Sequence, residues 1–344
     1  MTDTAPASPN AGQLADLLAT MPEEFHGFEA VYERDIRPAL AAKEGERQTA
    51  ARTARQSLLG GLAVGAAGIA AGLALFDMPA IAIVSGLAAA AIVGIGRLPL
   101  MQLQREAKGL LVAPVAKAFG LAYEPKPGQV TTLRDLRQIG LVPSYDRAKF
   151  EDRITGQRGE AEFEFFEAHL EERRTERSNG QTRRRYVTVF RGQCLRFDFH
   201  KRFFGRTLVM RDAGFFNIFG KWFGRKGMDR AALEDPTFEK AFEVYTSDQV
   251  EARFLLTPDM MQRLLDLETA FHGKKLRCAF VGDHLLIAVE GTDLFEPGSL
   301  FKRLDDPDRI GDLLRDFHTV FRTLDTVSER RRMQVEARGE PPQD

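Results

Sequence analysis

The forty residues from Ser57 to Gly96 carry a single charge, Asp77, and a single proline, Pro79. The two fall together in Phe76-Asp77-Met78-Pro79, which divides the run into Ser57–Phe76 and Pro79–Gly96, 20 and 18 residues long. A helix rises about 1.5 Å per residue, so each half matches a hydrocarbon core of about 30 Å. Pro79 suits the first turn of the second helix, where its missing N–H costs nothing. The run therefore predicts a two-helix transmembrane hairpin, 57–76 and 79–96.

Flanking charge sets its orientation. Lys43, Arg47, Arg52 and Arg55 precede the run, Arg97, Arg105, Lys108 and Lys117 follow it, and the connection has no basic residue. By the positive-inside rule both termini lie in the cytoplasm, which describes a multi-pass protein of a cell inner membrane. Ala and Gly make up 20 of the forty residues and favour insertion less than Leu, Ile or Phe, so a buried soluble hairpin is the competing reading. Gly61, Gly65, Gly68 and Gly72, and then Gly86, Ala90 and Gly94, recur every three or four residues. Such stripes allow close packing of the two helices on each other, or oligomerisation through the Gly-rich helices.

The remaining chain divides around the hairpin. Residues 1–25 are acidic and rich in Pro, Ser and Ala, lack the basic start and apolar stretch of a signal peptide, and are expected to be disordered. Residues 26–56 read as a cytoplasmic helix and 97–123 as an amphipathic juxtamembrane helix interrupted at Pro114. Glu124-Pro125-Lys126-Pro127-Gly128 opens an α+β cytoplasmic domain over 124–327, and 328–344 reads as a disordered tail. Within the domain, alternating residues place strands near 160–165, 185–200, 207–211, 242–246 and 252–256. Asn179-Gly180 marks a hairpin tip, and Gly282-Asp283 joins strands 276–281 and 285–289. Thr257-Pro258 starts a helix that runs to Phe271, and a last helix covers 306–327.

Composition excludes several classes. With 44% hydrophobic and 28% charged residues and a net charge of -1, the chain is neither wholly disordered, nor a disulfide mini-protein, nor a globally basic nucleic-acid binder. Cys194 and Cys278 are too few and too isolated for a disulfide framework or a zinc site.

The stretch 214–221 superficially matches a phosphate loop, but its glycines are one residue too far apart and Trp222 stands where Ser or Thr would bind magnesium. The six histidines form no close pair and lie near no Cys at ligand spacing, and no cofactor is implied. Asp198 with His200, and Asp283 with His284, could each be half of an acid–base pair by type, but with no identifiable nucleophile a solvated strand face and a hairpin turn are the favoured reading. Glu160, Glu162 and Glu164 read as a polar strand face.

A cationic block remains. Residues 183–226 hold 12 Lys and Arg against two acids, with 11 aromatic residues interleaved, whereas 228–344 hold 16 basic and 24 acidic residues. That composition suits nucleic acid or an anionic bilayer, and the adjoining hairpin favours the bilayer, so no nucleic-acid partner is expected. Phe215, Phe216, Phe219, Lys221, Trp222, Phe223, Arg225 and Lys226 are the candidate membrane-surface or partner contact. No catalytic residue is assigned.

Three blocks carry a family resemblance. Leu233 to Lys240 with Phe242 to Pro258 (LEDPTFEK and FEVYTSDQVEARFLLTP), together with Glu151 to Gly156 and Phe204 to Val209, resemble the signature of a bacterial family, domain of unknown function 3137. The resemblance implies membrane association and supplies no catalytic residues; LemA-like membrane proteins are the partner it suggests. The expected function is a membrane-anchored interaction or scaffolding module that contacts anionic lipid headgroups or a membrane protein, the alternative being a hydrolase-like enzyme acting on a membrane-derived substrate.

Overall fold

The computed structural model describes residues 9–75, 79–159, 161–178, 181–198, 202–211, 227–231, 233, 235–270, 274–296, 298 and 301–337. They form two compact units, Met1–Ala118 with Phe295–Arg315, and Phe119–Leu294 with Asp316–Asp344.

The first unit is helical. Helix α1 (Pro9–Ala19) lies within the segment expected to be disordered. Leu14, Leu18, Met21 and Phe25 recur at helical spacing and are buried, so a single apolar stripe outweighs the polar composition around it. Helix α2 (Phe28–Val31) passes through a π-helical turn, Tyr32–Ile36, into α3 (Arg37–Ile69), which ends in a second π segment, Ala70–Leu75. Helix α4 (Pro79–Ala118) is unbroken through Pro99 and Pro114, contrary to the interruption expected at Pro114. Leu111, Val112, Val115 and Ala116 are buried around that proline, and their packing offsets the lost backbone bond.

Helices α3 and α4 run antiparallel in contact. A Cβ placed on Gly61 would meet Val93 and the Ala89 carbonyl, one on Gly65 would touch Ala89, one on Gly68 would clash with Ser85, and one on Gly96 with Ser57. The small stripe expected on the second helix is therefore displaced by one position. Ser85, Ala89, Val93 and Gly96 face α3, while Gly86, Ala90 and Gly94 are exposed. Below these contacts Lys43 pairs with Glu106 at 3.0 Å. Among the described residues one helix, Ala80–Ala118, is long and apolar enough to cross a membrane, and 6% of its most apolar window is buried.

The second unit is built on an antiparallel sheet. Its strands are β1 (Ala122–Glu124), β2 (Arg147–Arg158), β3 (Ala161–Ser178), β4 (Gln181–Asp198), β5 (Thr207–Arg211), β6 (Asp229–Arg230), β7 (Phe242–Thr246), β8 (Lys274–Val281) and β9 (His284–Glu290), in the order β1-β2-β3-β4-β9-β8-β5-β7-β6. Alternation fixes the register: Phe163, Phe165, Leu195 and Phe197 are buried, and Phe163 faces Phe197 across β3 and β4. Helix α5 (Thr132–Ile139) covers one face, its Leu133 and Leu136 packing with Phe166, Leu170 and Phe190. From β2, Arg158 binds Asp325 at 2.6 Å and lies over the Phe321 ring, in the part of helix α9 (Pro307–Ala337) that belongs to this unit.

Two short helices precede β8. Helix α6 (Pro236–Ala241) is capped by Asp235, whose carboxylate accepts from the Thr237 and Phe238 amides. Helix α7 (Gln249–Leu255) replaces the strand expected at 252–256. The Asp248 carboxylate accepts from the Val250 and Glu251 amides, and that cap outweighs the strand preference of Phe254. Helix α8 (Pro258–Ala270) starts after Thr257 as its sequence predicts. Helix α9 continues to Ala337, ten residues past the expected end of the domain at 327.

Candidate functional site

Four of the titratable residues singled out in the sequence, Glu164, Asp198, Asp283 and His284, join a charged ladder across the sheet. Asp198 and His284, placed by sequence in separate pairs, are direct register partners in β4 and β9. The His284 Nδ1 lies 2.8 Å from Asp198 Oδ1, at ion-pair distance but off the line of a hydrogen bond. Its Nε2 lies 2.9 Å from Asp283 Oδ1 and 3.2 Å from an Arg196 nitrogen. Arg196 also donates to Asp198 at 2.7 Å and faces Glu164 across β3 and β4. Glu164 accepts from Thr132 and from Arg153 at 2.6 Å, and Arg153 reaches Glu124 at 3.4 Å.

Signs alternate along this chain of contacts. Burial opposes the charge on the Arg153 guanidinium, but the carboxylates of Glu164 and Glu124 outweigh it and raise its pKa. Glu164 and Asp198 each accept from a guanidinium, and the cross-strand contacts Arg153–Glu164 and Asp198–His284 pin strand register. His200 and Glu160 lie outside the described residues, and Glu162 is exposed. Among the described residues no three His, Cys, Asp or Glu side chains are grouped to hold a metal. Both thiols are buried, which raises the pKa of Cys194 and lifts that of Cys278 to about 12.

The start of the cationic block, Arg183–Val187, pairs with the end of β3 in an arginine ribbon. Past the Arg147–Glu171 pair β3 leaves β2, and β4 joins β9 only from Gly192, so Glu172–Ser178 and Gln181–Val187 pair with each other alone. Register places Arg173, Thr175 and Arg177 on one face with Thr182, Arg184 and Tyr186. On the other face Glu172 pairs with Arg174 at 3.1 Å and Glu176 with Arg185. Arg173, Arg177 and Arg184 have no carboxylate partner among the described residues, and Arg147 stacks 3.4 Å above the Tyr186 ring on the same face. This face offers forked N–H donors to an anionic surface.

The expected contact residues Phe215, Phe216, Phe219, Lys221, Trp222, Phe223, Arg225 and Lys226 lie outside the described residues. Sequence reading missed a second apolar corner. Phe204 is 88% exposed, Val250 78% and Phe254 40%. The helical spacing of Val250 and Phe254 was the available signal, hidden by reading 252–256 as a strand.

The blocks that carry the family resemblance serve the scaffold. Asp152 is fully buried at φ 53 beside the β2 bulge and accepts from the Tyr123 hydroxyl at 2.7 Å, while a Cβ on Gly156 would strike Leu121. Glu251 receives the amides of Phe204 at 2.8 Å and Gly205 at 2.7 Å, tying two of the blocks together.

No curated protein matches the chain. Among solved structures, the mycobacterial trehalose monomycolate transport factor A, TtfA, aligns with 61% of this chain and 96% of its own at 13% identity and a TM-score of 0.32. Residues 188–328, which include the Phe204–Glu251 tie and the Asp235 and Asp248 caps, match the model of the family described as "Protein of unknown function (DUF3137)", the family whose signature the sequence blocks resemble.

Proposed function

We propose that the protein is a membrane-anchored interaction or scaffolding module. In this reading residues 57–96 cross the inner membrane as a hairpin, both termini lie in the cytoplasm, and the sheet unit meets anionic lipid or a membrane-protein partner of the LemA-like kind. The observation that carries it is an apolar band. Of the 16 exposed large hydrophobic residues among the described ones, 12 lie between Leu58 and Met101, five on α3 and seven on α4. The α4 members run from Ile83 to Met101, which spans about 27 Å of helix. Soluble surfaces scatter such side chains singly, whereas here they gather in one band near the thickness of a hydrocarbon core. Below the band the two helices switch to charged contacts such as Lys43–Glu106.

An arginine-bearing surface tethered to a membrane meets anionic headgroups at high effective concentration. The Asp198–His284 pair, which an enzymatic reading would use, is engaged in the charged ladder. Deleting residues 57–96 should move the chain from the membrane to the soluble fraction, and a periplasm-dependent phosphatase fused after Asp344 should be inactive because that end stays in the cytoplasm. A deletion variant that stays in the membrane, or an active fusion, would overturn the reading.

A further inference from the structure

We infer that Phe204, Val250 and Phe254, together with Arg202, Arg206 and Arg253, form a second contact with the bilayer, a foot on the sheet unit that settles among anionic headgroups; this rests on the membrane anchorage proposed above. Val250 and Phe254 lie four residues apart on α7 and share a face. Phe204 is brought to the same helix by Glu251, whose two carboxylate oxygens take the Phe204 and Gly205 amides. Next to it the Arg206 amide donates to the Ser247 hydroxyl at 2.8 Å, and the Ser247 amide returns a bond to the Arg206 carbonyl at 3.0 Å. A Cβ on Gly205 would lie 2.8 Å from Asp248 Cβ, so only glycine lets the loop come this close. Phe203 turns inward, its ring 5.6 Å from Phe280, which leaves Phe204 outward.

The charge pattern selects the occupant. Two carboxylates described at the corner accept from backbone amides, Asp248 from those of α7 and Glu251 from those of the loop. Arg202, Arg206 and Arg253 are exposed and have no carboxylate partner among the described residues. The three arginines outnumber those two carboxylates, and a rigid apolar corner beside them matches a membrane interface, where aromatic rings bury while guanidinium groups stay with the phosphates. Each arginine near an anionic surface should raise partitioning on the order of fivefold. The loop is held before binding, so little ordering opposes contact.

The test uses the full chain carrying Val250→Cys labelled with an environment-sensitive fluorophore. Cys194 and Cys278 are fully buried, so the label is site-specific, and Val250 is exposed enough to replace without unfolding. The protein is reconstituted in nanodiscs of phosphatidylcholine, with or without phosphatidylglycerol, containing a lipid spin-labelled near its headgroup. Strong quenching is expected in the anionic discs, falling as salt rises. Partitioning should weaken on the order of a hundredfold when Arg202, Arg206 and Arg253 become Glu, and about tenfold when Phe204→Ser is introduced, with unchanged unfolding midpoints. A probe that stays in water in anionic discs overturns the proposal, as does one shielded only as protein concentration rises, which would put a second copy on the corner. A chain that fails to enter discs contradicts the hairpin alone; the probe is then read on anionic vesicles, where the same two outcomes decide.

Discussion

Gly61 and Val93 bring α3 and α4 into backbone-level contact: a methyl group on Gly61 would lie 2.6 Å from Val93 Cγ2 and 3.0 Å from the Ala89 carbonyl oxygen. Gly61→Leu should therefore force the helices apart and destabilise the first unit by about 1–3 kcal/mol. Gly60 has open space around its Cβ position, and Gly60→Ala should be neutral or stabilise by up to about 1 kcal/mol. Thermal unfolding in detergent, followed by helical circular dichroism, separates the two variants.

The arginine ribbon should act on anions without supporting the fold. Changing Arg173, Arg177 and Arg184 to Glu should reduce affinity for anionic vesicles and flatten its dependence on salt, because these side chains have no partner to lose among the described residues. The melting temperature should stay within the range of ordinary surface substitutions, about 0.5 kcal/mol of stability. Vesicle flotation across a salt series, paired with a melting curve, provides the check.

The opposite balance is expected at the ladder. Asp198→Ala leaves Arg196 and His284 without their shared carboxylate and should cost about 1–3 kcal/mol. A double-mutant cycle of Asp198→Ala with His284→Ala should return a coupling of at least about 0.5 kcal/mol. Additive losses would show that the two side chains merely lie near each other.

Acid should loosen the helical unit through Glu44. The Arg47 guanidinium, at 2.7 Å, holds this carboxyl below the usual range, and Gln48 and the Leu304 amide add to the effect. Because the folded pKa is the lower one, the contribution is fully present above the unfolded carboxyl pKa of about 4.3 and disappears as pH falls through the folded value. The Asp305 carboxyl, lowered by Arg303, has the same sign. The midpoint for this unit should drop below about pH 4.3, and Glu44→Gln should lower the neutral-pH midpoint and flatten the acid slope.

Elements with one dominant local signal were legible in the sequence. Strands β5 and β7, the Gly282-Asp283 turn and the Thr257-Pro258 helix start all rest on alternation or turn chemistry within a few residues. Helix α7 was misread because a cap at Asp248 competes with a run that reads equally well as strand. Helix α1 holds three leucines, Leu14, Leu17 and Leu18, diluted in a polar, proline-containing stretch that reads as disordered. Pro114 shows the reverse case, a strong local breaker overridden by buried neighbours. The ladder and the Phe204 corner depend on residues up to 160 positions apart, Glu124 and His284 in the first case, and pairing at that distance leaves no periodic trace.

The central claim is that the apolar band over residues 57–96 lies in a bilayer, and alkaline carbonate extraction of membranes holding the intact chain tests it most directly. An integral hairpin predicts that the chain remains in the pellet after washing, as a helix with most of its apolar surface in lipid is not released by stripping ionic contacts. Complete recovery of the intact chain in the carbonate supernatant would contradict the account.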